Sequence, residues 1–443
     1  MKKDKKQQIN NVIKLSIPAI LTQLATIAMQ YIDSAMVGRL GENASAAIGL
    51  VSTTTWLFSG ILSALAVGFS VQIAHHFGAK EFKEGRIVLR HGLVFSFIIS
   101  FILLVIGCSI AYPLPILLRA DPSIWNDATL YFVVFTLSLP FMMLNNICAS
   151  SLQCSGNMVV PSILNAVMCL LDVIFNIIFI PLYGVLGASI GTALSVIVTS
   201  LIMFIICCFI DKKLRITVSD NTKYNKIIIH KAIKICIPIA LEQVARSGAM
   251  IVSTGIIAPL GNTAIAANSF AVTVESICYM PGFGVQSAAT TLVGQEMGAG
   301  NYKKAKQYGN ISIWLGSLIM TVMAIMIFVL CPYIFKLLTP VEEVQALAVT
   351  VLRIGCFAEP LYGVSIVSSG ALRGAEDTLV PSILNLLSIW VVRITLAIIL
   401  VVPLGLVGVW LANTIELCVR GILLLIRQVT SKYYFRKEVK IID

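Results

Sequence analysis

A chain of 443 residues that is 58% apolar and only 12% charged is excluded from the ordinary soluble class, where about 25% of residues are charged. The net charge of +11 gathers at the ends of apolar stretches, so it does not point to nucleic acid. Open sheets cannot cross lipid and a barrel would show weak alternation instead, which leaves an all-α, polytopic membrane protein.

Apolar stretches of roughly 20 residues can cross a hydrocarbon core of ~30 Å as helices. In chain order they predict twelve transmembrane helices over 11–37, 44–76, 87–112, 124–151, 158–180, 184–209, 231–259, 264–297, 306–332, 341–371, 379–401 and 405–426. The start, MKKDKK, is too polar for a cleaved signal peptide, so the first span stays as an anchor. Most Lys and Arg fall in 1–14, 80–90, 212–234, 303–306 and 427–440, together with Arg373; the opposite side holds Arg39, Arg119 and Lys336. This asymmetry predicts a multi-pass protein of the cell (cytoplasmic or inner) membrane with both termini in the cytoplasm.

The 11 cysteines form no CxxC pair and fall almost wholly inside spans. They read as small buried apolar residues, not as disulfides or metal ligands. His75, His76, His91 and His230 lie at cytoplasmic span ends and read as solvated interfacial groups. No cofactor is expected, and no GxxxxGK[ST] motif suggests an ATP-driven motor.

The chain repeats itself. "VPSILN" occurs at 160–165 and at 380–385. Pro18-x-x-Leu21-x-Gln23 returns as Pro238-x-x-Leu241-x-Gln243, Leu40-Gly41 as Leu260-Gly261, and Gly78-Ala79 as Gly298-Ala299. This spacing predicts two pseudo-symmetric six-helix lobes, an N-lobe over 1–210 and a C-lobe over 231–430. A cytoplasmic linker at 211–230 and a cytoplasmic tail at 431–443 complete the chain. An even number of spans per lobe relates the copies by an axis along the membrane normal. In transporters of that design, substrate sits between the halves near the midplane.

Ionisable residues inside a membrane are costly and default to functional hypotheses with a named partner. The C-lobe spans balance Glu242, Glu275, Glu359 and Glu416 against Arg246, Arg353, Arg393 and Arg420. Glu242/Arg246 and Glu416/Arg420 are i,i+4 neighbours, so these, with Arg393, read as structural charge pairs. The N-lobe interior holds Asp33 and Asp172 and no Lys or Arg. An unpaired carboxylate in a low-dielectric site takes up a proton or collects a cation. At 1.5 Å per residue, Asp33 lies about 9 Å below Arg39, Asn176 about 10 Å below Tyr183 and Thr192 about 12 Å below Gly184. Asp172 lies one turn deeper than Asn176 and shares its helix face. Asp33, Asp172, Asn176 and Thr192 are therefore the candidate coupling-cation site. Gln23 and Gln243, at matching repeat positions, and the acids Glu275 and Glu359 are candidates for a substrate cleft. Pro18 is either a hinge of the first helix or the mark of its start.

"AATTLVGQEMGAGN" at 288–301 after "MPGFG" at 280–284, "GALRGAEDTLVPS" at 370–382, "SLQCSGNMVVPS" at 151–162 and Asp33-x-x-Met36-Val37-Gly38 resemble the multidrug and toxic compound extrusion (MATE) antiporters. The resemblance covers essentially the whole chain. It implies a twelve-helix, two-lobe exporter, usually of organic cations, driven by H⁺ or Na⁺; a monomer in the lipid bilayer is expected, with no metal site apart from one for Na⁺. It also implies that Asp33, the pair Asp172 and Asn176, and Thr192 line the ion site. Two features depart from the pattern. Thr395 stands where many relatives have Pro, which implies a straighter helix. Arg246 stands where some members carry a carboxylate, which argues against a C-lobe ion site of that type. The rival readings are a lipid-linked oligosaccharide flippase of the same superfamily and an integral-membrane enzyme. The first calls for basic residues along the cavity, and the N-lobe spans have none. The second calls for clustered nucleophiles, acids or metal ligands at a membrane face.

Overall fold

The structure is a computed structural model and describes residues 2–118, 120–217 and 224–435. Arg119, part of the predicted linker (218–223) and most of the predicted tail (436–443) lie outside the described residues. Among the described residues there is no strand. Backbone N–H and C=O groups in lipid must be paired without water, and a helix pairs all but those at its ends within one segment.

The helices are α1 (Lys2–Gly38), α2 (Glu42–Gly78), α3 (Phe82–Ala111), α4 (Pro113–Leu117), α5 (Trp125–Cys154), α6 (Val159–Tyr183), α7 (Val185–Ile205), α8 (Lys226–Ile257), α9 (Asn262–Gly298), α10 (Tyr302–Leu338), α11 (Glu342–Cys356), α12 (Glu359–Gly374), α13 (Leu379–Leu387), α14 (Thr395–Leu404) and α15 (Leu406–Thr430). With α4 as a short surface turn, α11 and α12 as one bent span, and α13 and α14 as one continuous span, they supply the twelve transmembrane segments. Among the described residues, nine segments are alone long and apolar enough to cross a bilayer, and the α11–α12 pair, bent by 54°, adds a tenth. The other two, α8 and α9, are of similar length. Lys231, Lys234, Glu242 and Arg246 in α8, and the Thr, Ser and Gln of α9, dilute their apolar character. The bend falls where Pro360 opens α12, because proline has no N–H to continue the helix from α11. Before Thr395 the helix is not plain α: Ser388–Ile394 is π-helical, and Arg393 lies within it.

The repeat is visible in the turns. Positive φ occurs at Gly41 and Gly261, Lys80 and Gly300, Gly156 and Glu376, and Gly184 and Gly405. Each pair ends corresponding helices of the two halves. At the last pair the Gly184 N–H bonds Ile180 O at 2.8 Å and the Gly405 N–H bonds Val401 O at 2.8 Å. Only three residues on, a Cβ at Gly187 or Gly408 would strike the backbone of Phe179 or Leu400. The sharp return between the fifth and sixth helix of each lobe therefore depends on both glycines.

The chain packs as two compact units, one of Met1–Gln23 with Val244–Asp443 and one of Leu24–Gln243. The cuts fall inside α1 and α8. In the first unit, the start of α1 is tied by Gln8 Nε2 to Gln307 Oε1 and by Asn11 Nδ2 to Tyr308 Oη, both at 3.0 Å. Gly284 admits the α1 backbone so closely that a Cβ there would lie 2.6 Å from Ile20 N. In the second unit, Gln72 Nε2 donates to Ile228 O at 3.2 Å, and Gly68 lies against Ala232 of α8. The core of the second unit gathers Phe58, Phe69, Phe132, Leu139 and Met143. That of the first gathers Cys278, Phe335, Val351 and Trp410 around one centre and Val12, Val285, Ala371 and Leu424 around another.

Candidate functional site

The second unit brings Asp33, Asp172 and Asn176 into contact. Asp172 and Asn176 lie one turn apart on α6, on the face that also buries Ile180, and both are fully buried. Asn176 Nδ2 donates to Asp33 Oδ1 at 2.7 Å and to Asp172 Oδ2 at 3.2 Å. An amide carries two N–H groups on one nitrogen, so each carboxyl takes one. This fixes the amide orientation: turned over, its oxygen would face two carboxyl groups. The carboxyls of Asp33 and Asp172 also lie within hydrogen-bonding reach of each other. Two such oxygens can meet only with a proton or a cation between them.

The remaining oxygens matter as much. Asp172 Oδ1 and Asn176 Oδ1 are buried with no hydrogen-bond partner, whereas most buried polar atoms are paired. Gly191 of α7 makes room for the Asn176 oxygen, since a Cβ there would collide with Oδ1 and stand 3.2 Å from the Asn176 backbone N. Tyr131 of α5 is near enough for both acids to act electrostatically on its hydroxyl. It packs against an apolar cap of Val37, Ala44, Ile180, Val185 and Ala188. The result is an oxygen-rich pocket closed by apolar residues, able to hold a proton or a hard cation, which prefers oxygen ligands.

Thr192 follows Gly191 on α7, but its Oγ1 donates to Ala188 O at 3.1 Å; no hydrogen bond joins it to the two acids. Pro18 is well inside α1, so it does not mark a helix start. Thr22 Oγ1 donates to the Pro18 carbonyl at 3.2 Å. Gln23 is half-buried in the first unit. Gln243 lies over Gly60 in the second, where a Cβ on the glycine would strike its side chain. Glu242 is buried and Arg246 half-buried.

In the first unit, Arg420 Nε stands 3.0 Å from Glu416 Oε1 as a buried ion pair, and Ser388 Oγ donates to the same oxygen at 2.7 Å. Arg420 also lies over the Tyr362 ring, 5.3 Å from its centroid. Arg393 is near enough to Glu416 and Glu275 to interact with both electrostatically. Arg353 bonds Phe328 O at 3.3 Å and covers that residue's ring. Glu275 and Glu359 are both buried and act on each other; Glu275 Oε1 faces Gly355, where a Cβ would lie 3.1 Å away. The arginines Arg353 and Arg420 of this unit are thus braced by carboxylate, ring and backbone, whereas Glu275 Oε1 and both carboxyl oxygens of Glu359 are, like Asp172 Oδ1, buried with no hydrogen-bond partner.

Tyr131 and Gly191 were not legible in sequence. Tyr131 is one aromatic among many in an apolar span, and Gly191 one of several small residues in "GASIGTALS".

The family model MatE matches residues 18–178 and 238–399, one match in each half of the repeat. A probable multidrug resistance protein NorM of Thermotoga maritima is 26% identical over 434 residues, covering 95% of this chain and 92% of that protein. A probable multidrug resistance protein YoeA of Bacillus subtilis is 24% identical over 92% of this chain and 91% of its own. Among solved structures, a mutant of the Vibrio cholerae MATE transporter VcmN superposes with a TM-score of 0.92 at 18% identity, over 98% of this chain and 100% of that one.

Proposed function

The chain belongs to the MatE family, and on that premise we propose that it is a secondary antiporter that exports small organic cations in exchange for H⁺ or Na⁺. It is a multi-pass membrane transporter and not an enzyme. The observation that carries the coupling mechanism is the cluster of Asp33, Asp172 and Asn176, with a half-buried and a fully buried carboxyl group side by side and two buried oxygens left without partners. Relatives named for multidrug resistance support the substrate class. The charge asymmetry of the loops supports both termini in the cytoplasm.

In this mechanism the cation enters between Asp33 and Asp172 and favours one conformation, while substrate favours the other. Coupling requires only that each ligand bind the two conformations with different affinity. The amide of Asn176 turns its N–H groups toward both acids. A proton fits between the acids without rearrangement, whereas Na⁺ requires the amide to turn its oxygen inward. Pro18 leaves a carbonyl of α1 without its helical partner, a weak point at which that helix can bend. Thr192 offers its hydroxyl lone pairs to the same pocket once the helices shift. The protein acts as a monomer with Gln23, Gln243, Glu275 and Glu359 contributing to substrate recognition.

Purified protein in proteoliposomes tests this reading. A pH gradient or a Na⁺ gradient is imposed separately, and uptake of a fluorescent organic cation is followed. Uphill transport under one gradient, abolished by its collapse, is the expected result. No transport under either gradient by folded protein, across a panel of organic cations, contradicts it.

A further inference from the structure

Three cysteines meet in the second unit. Cys148 lies near the end of α5, and Cys207 and Cys208 lie in the π-helical turn Ile206–Ile210 that follows α7. All three are buried, and their Sγ atoms lie within 4.8 Å of one another. Neighbours in an α-helix point about 100° apart; the wider π turn reduces that angle and lets both cysteines face Cys148. Two sulfurs held by one ion at about 2.3 Å each stand no more than about 4.6 Å apart. Small rotations therefore bring all three onto a single centre.

Charge decides what that centre is. The thiols share their core cluster with Phe69, Ile147, Met203 and Leu214, where an uncompensated charge is expensive. A divalent ion is neutralised by two thiolates and is left with a negative charge by a third. A monovalent ion is worse. A trivalent centre with three thiolates is neutral. We propose that Cys148, Cys207 and Cys208 form a binding site for a trivalent thiophilic metalloid of the arsenite class. Arsenous acid, As(OH)₃, is itself uncharged. At each exchange an S–H and an As–O bond break, an As–S bond forms, and the thiol proton leaves with the hydroxyl as water. Three exchanges give neutral As(S-Cys)₃ and three waters, with no change of oxidation state and no other reactant. Chain neighbours of the cysteines, Ile147 before Cys148 and Phe204 one turn before Cys208, line a mostly apolar cavity of about 420 Å³ together with Arg90, Val94 and Phe97. This site uses none of the residues of the carboxylate cluster and does not depend on the antiport reading.

The test uses the full chain, purified and reduced in detergent, then incubated with arsenite or with Cd²⁺ and desalted. Native mass spectrometry should show one arsenic per chain, with a mass increase of one arsenic less three hydrogens. The apparent affinity should fall at least tenfold in Cys148→Ser and Cys207→Ser, and Cys108→Ser, outside the cluster, should leave it unchanged. Cys148→Ala serves if a serine variant fails to fold. No arsenic on folded wild-type protein, undiminished binding in the Cys148 variants, or a mass increase that leaves a thiol proton in place overturns the proposal. Retention of Cd²⁺ in preference to arsenic overturns the trivalent assignment.

Discussion

Asn176 reaches from α6 to Asp33 on α1 with an amide hydrogen bond of 2.7 Å. A hydrogen bond to a charged acceptor is worth about 1.5–3 kcal/mol, and one to a neutral acceptor about 0.5–1.5 kcal/mol. Protonation of Asp33 therefore loosens the tie between α1 and α6 by about 1 kcal/mol. This is a physical means for ion binding to bias a helix movement.

We predict that Asp33→Asn folds normally and loses gradient-driven export. Asparagine keeps the size and can still accept from Asn176, but it cannot titrate or carry charge. Asp172→Asn should weaken coupling to a similar or smaller degree. Thermal unfolding checks folding, and proteoliposome transport under each gradient checks coupling. Uphill export at the normal rate by folded Asp33→Asn removes this cluster from the mechanism and turns attention to Glu275 and Glu359.

Gly191 offers a separate probe of the same site. We predict that Gly191→Ala lowers thermal stability by about 1–3 kcal/mol, the usual range for overpacking a tight contact, because its Cβ would strike Asn176 Oδ1. The loss should shrink in the Asn176→Ala background, where that oxygen is gone. Gly187→Ala, which strikes the Phe179 backbone instead, should lose stability equally in both backgrounds. Equal losses for Gly191→Ala with and without the Asn176 side chain would mean that the glycine serves helix packing alone.

Orientation is open to direct labelling. We predict that a single cysteine replacing Lys303, in a chain freed of its other cysteines, reacts with membrane-impermeant reagent only from the cytoplasmic side. A cysteine replacing Asn43 should react only from outside. Both positions are exposed, so failure to react cannot be blamed on burial. The opposite pattern at both sites inverts the topology.

The fold was legible because lipid leaves few choices. Long apolar stretches must be helices, and the duplicated "VPSILN" and Leu-Gly turns mark the two lobes. The acids Asp33 and Asp172 stood out because no Lys or Arg in the span interiors of their lobe offsets them. Tyr131 and Gly191 escaped, since their roles come from the approach of α5 and α7 to α6 and not from their chemistry. The meeting of Cys148 with Cys207 and Cys208 escaped for a related reason: a π turn changes the angle between neighbouring residues, and apolar sequence carries no mark of it. Helix ends ran past the predicted limits, as in α10 (Tyr302–Leu338), because the charged ends of a helix continue into water.

The Glu416–Arg420 pair separates structural charge from functional charge. Both residues are buried, with Arg420 Nε 3.0 Å from Glu416 Oε1 and Ser388 donating to the same carboxylate. Removing one partner of such a pair typically costs about 3–5 kcal/mol, because the other charge is left buried and unpaired, whereas replacing both is often near neutral. We predict that Arg420→Met is the more damaging single change, since Glu416 would lose its ion-pair partner and keep the Ser388 hydroxyl and the longer-range charge of Arg393. Methionine preserves much of the packing against Tyr362, so lost volume would not explain the damage. Glu416→Gln should cost less on its own, because its amide can still accept from Ser388. The double variant should recover most of the stability lost in Arg420→Met and should retain ion-driven export. Unfolding temperature in detergent and transport rate in proteoliposomes check the two halves of this prediction. A double variant as unstable as Arg420→Met would show that the guanidinium matters for its contact with Tyr362 rather than for Glu416. A stable double variant that no longer couples export to the ion gradient would place this pair in the transport cycle.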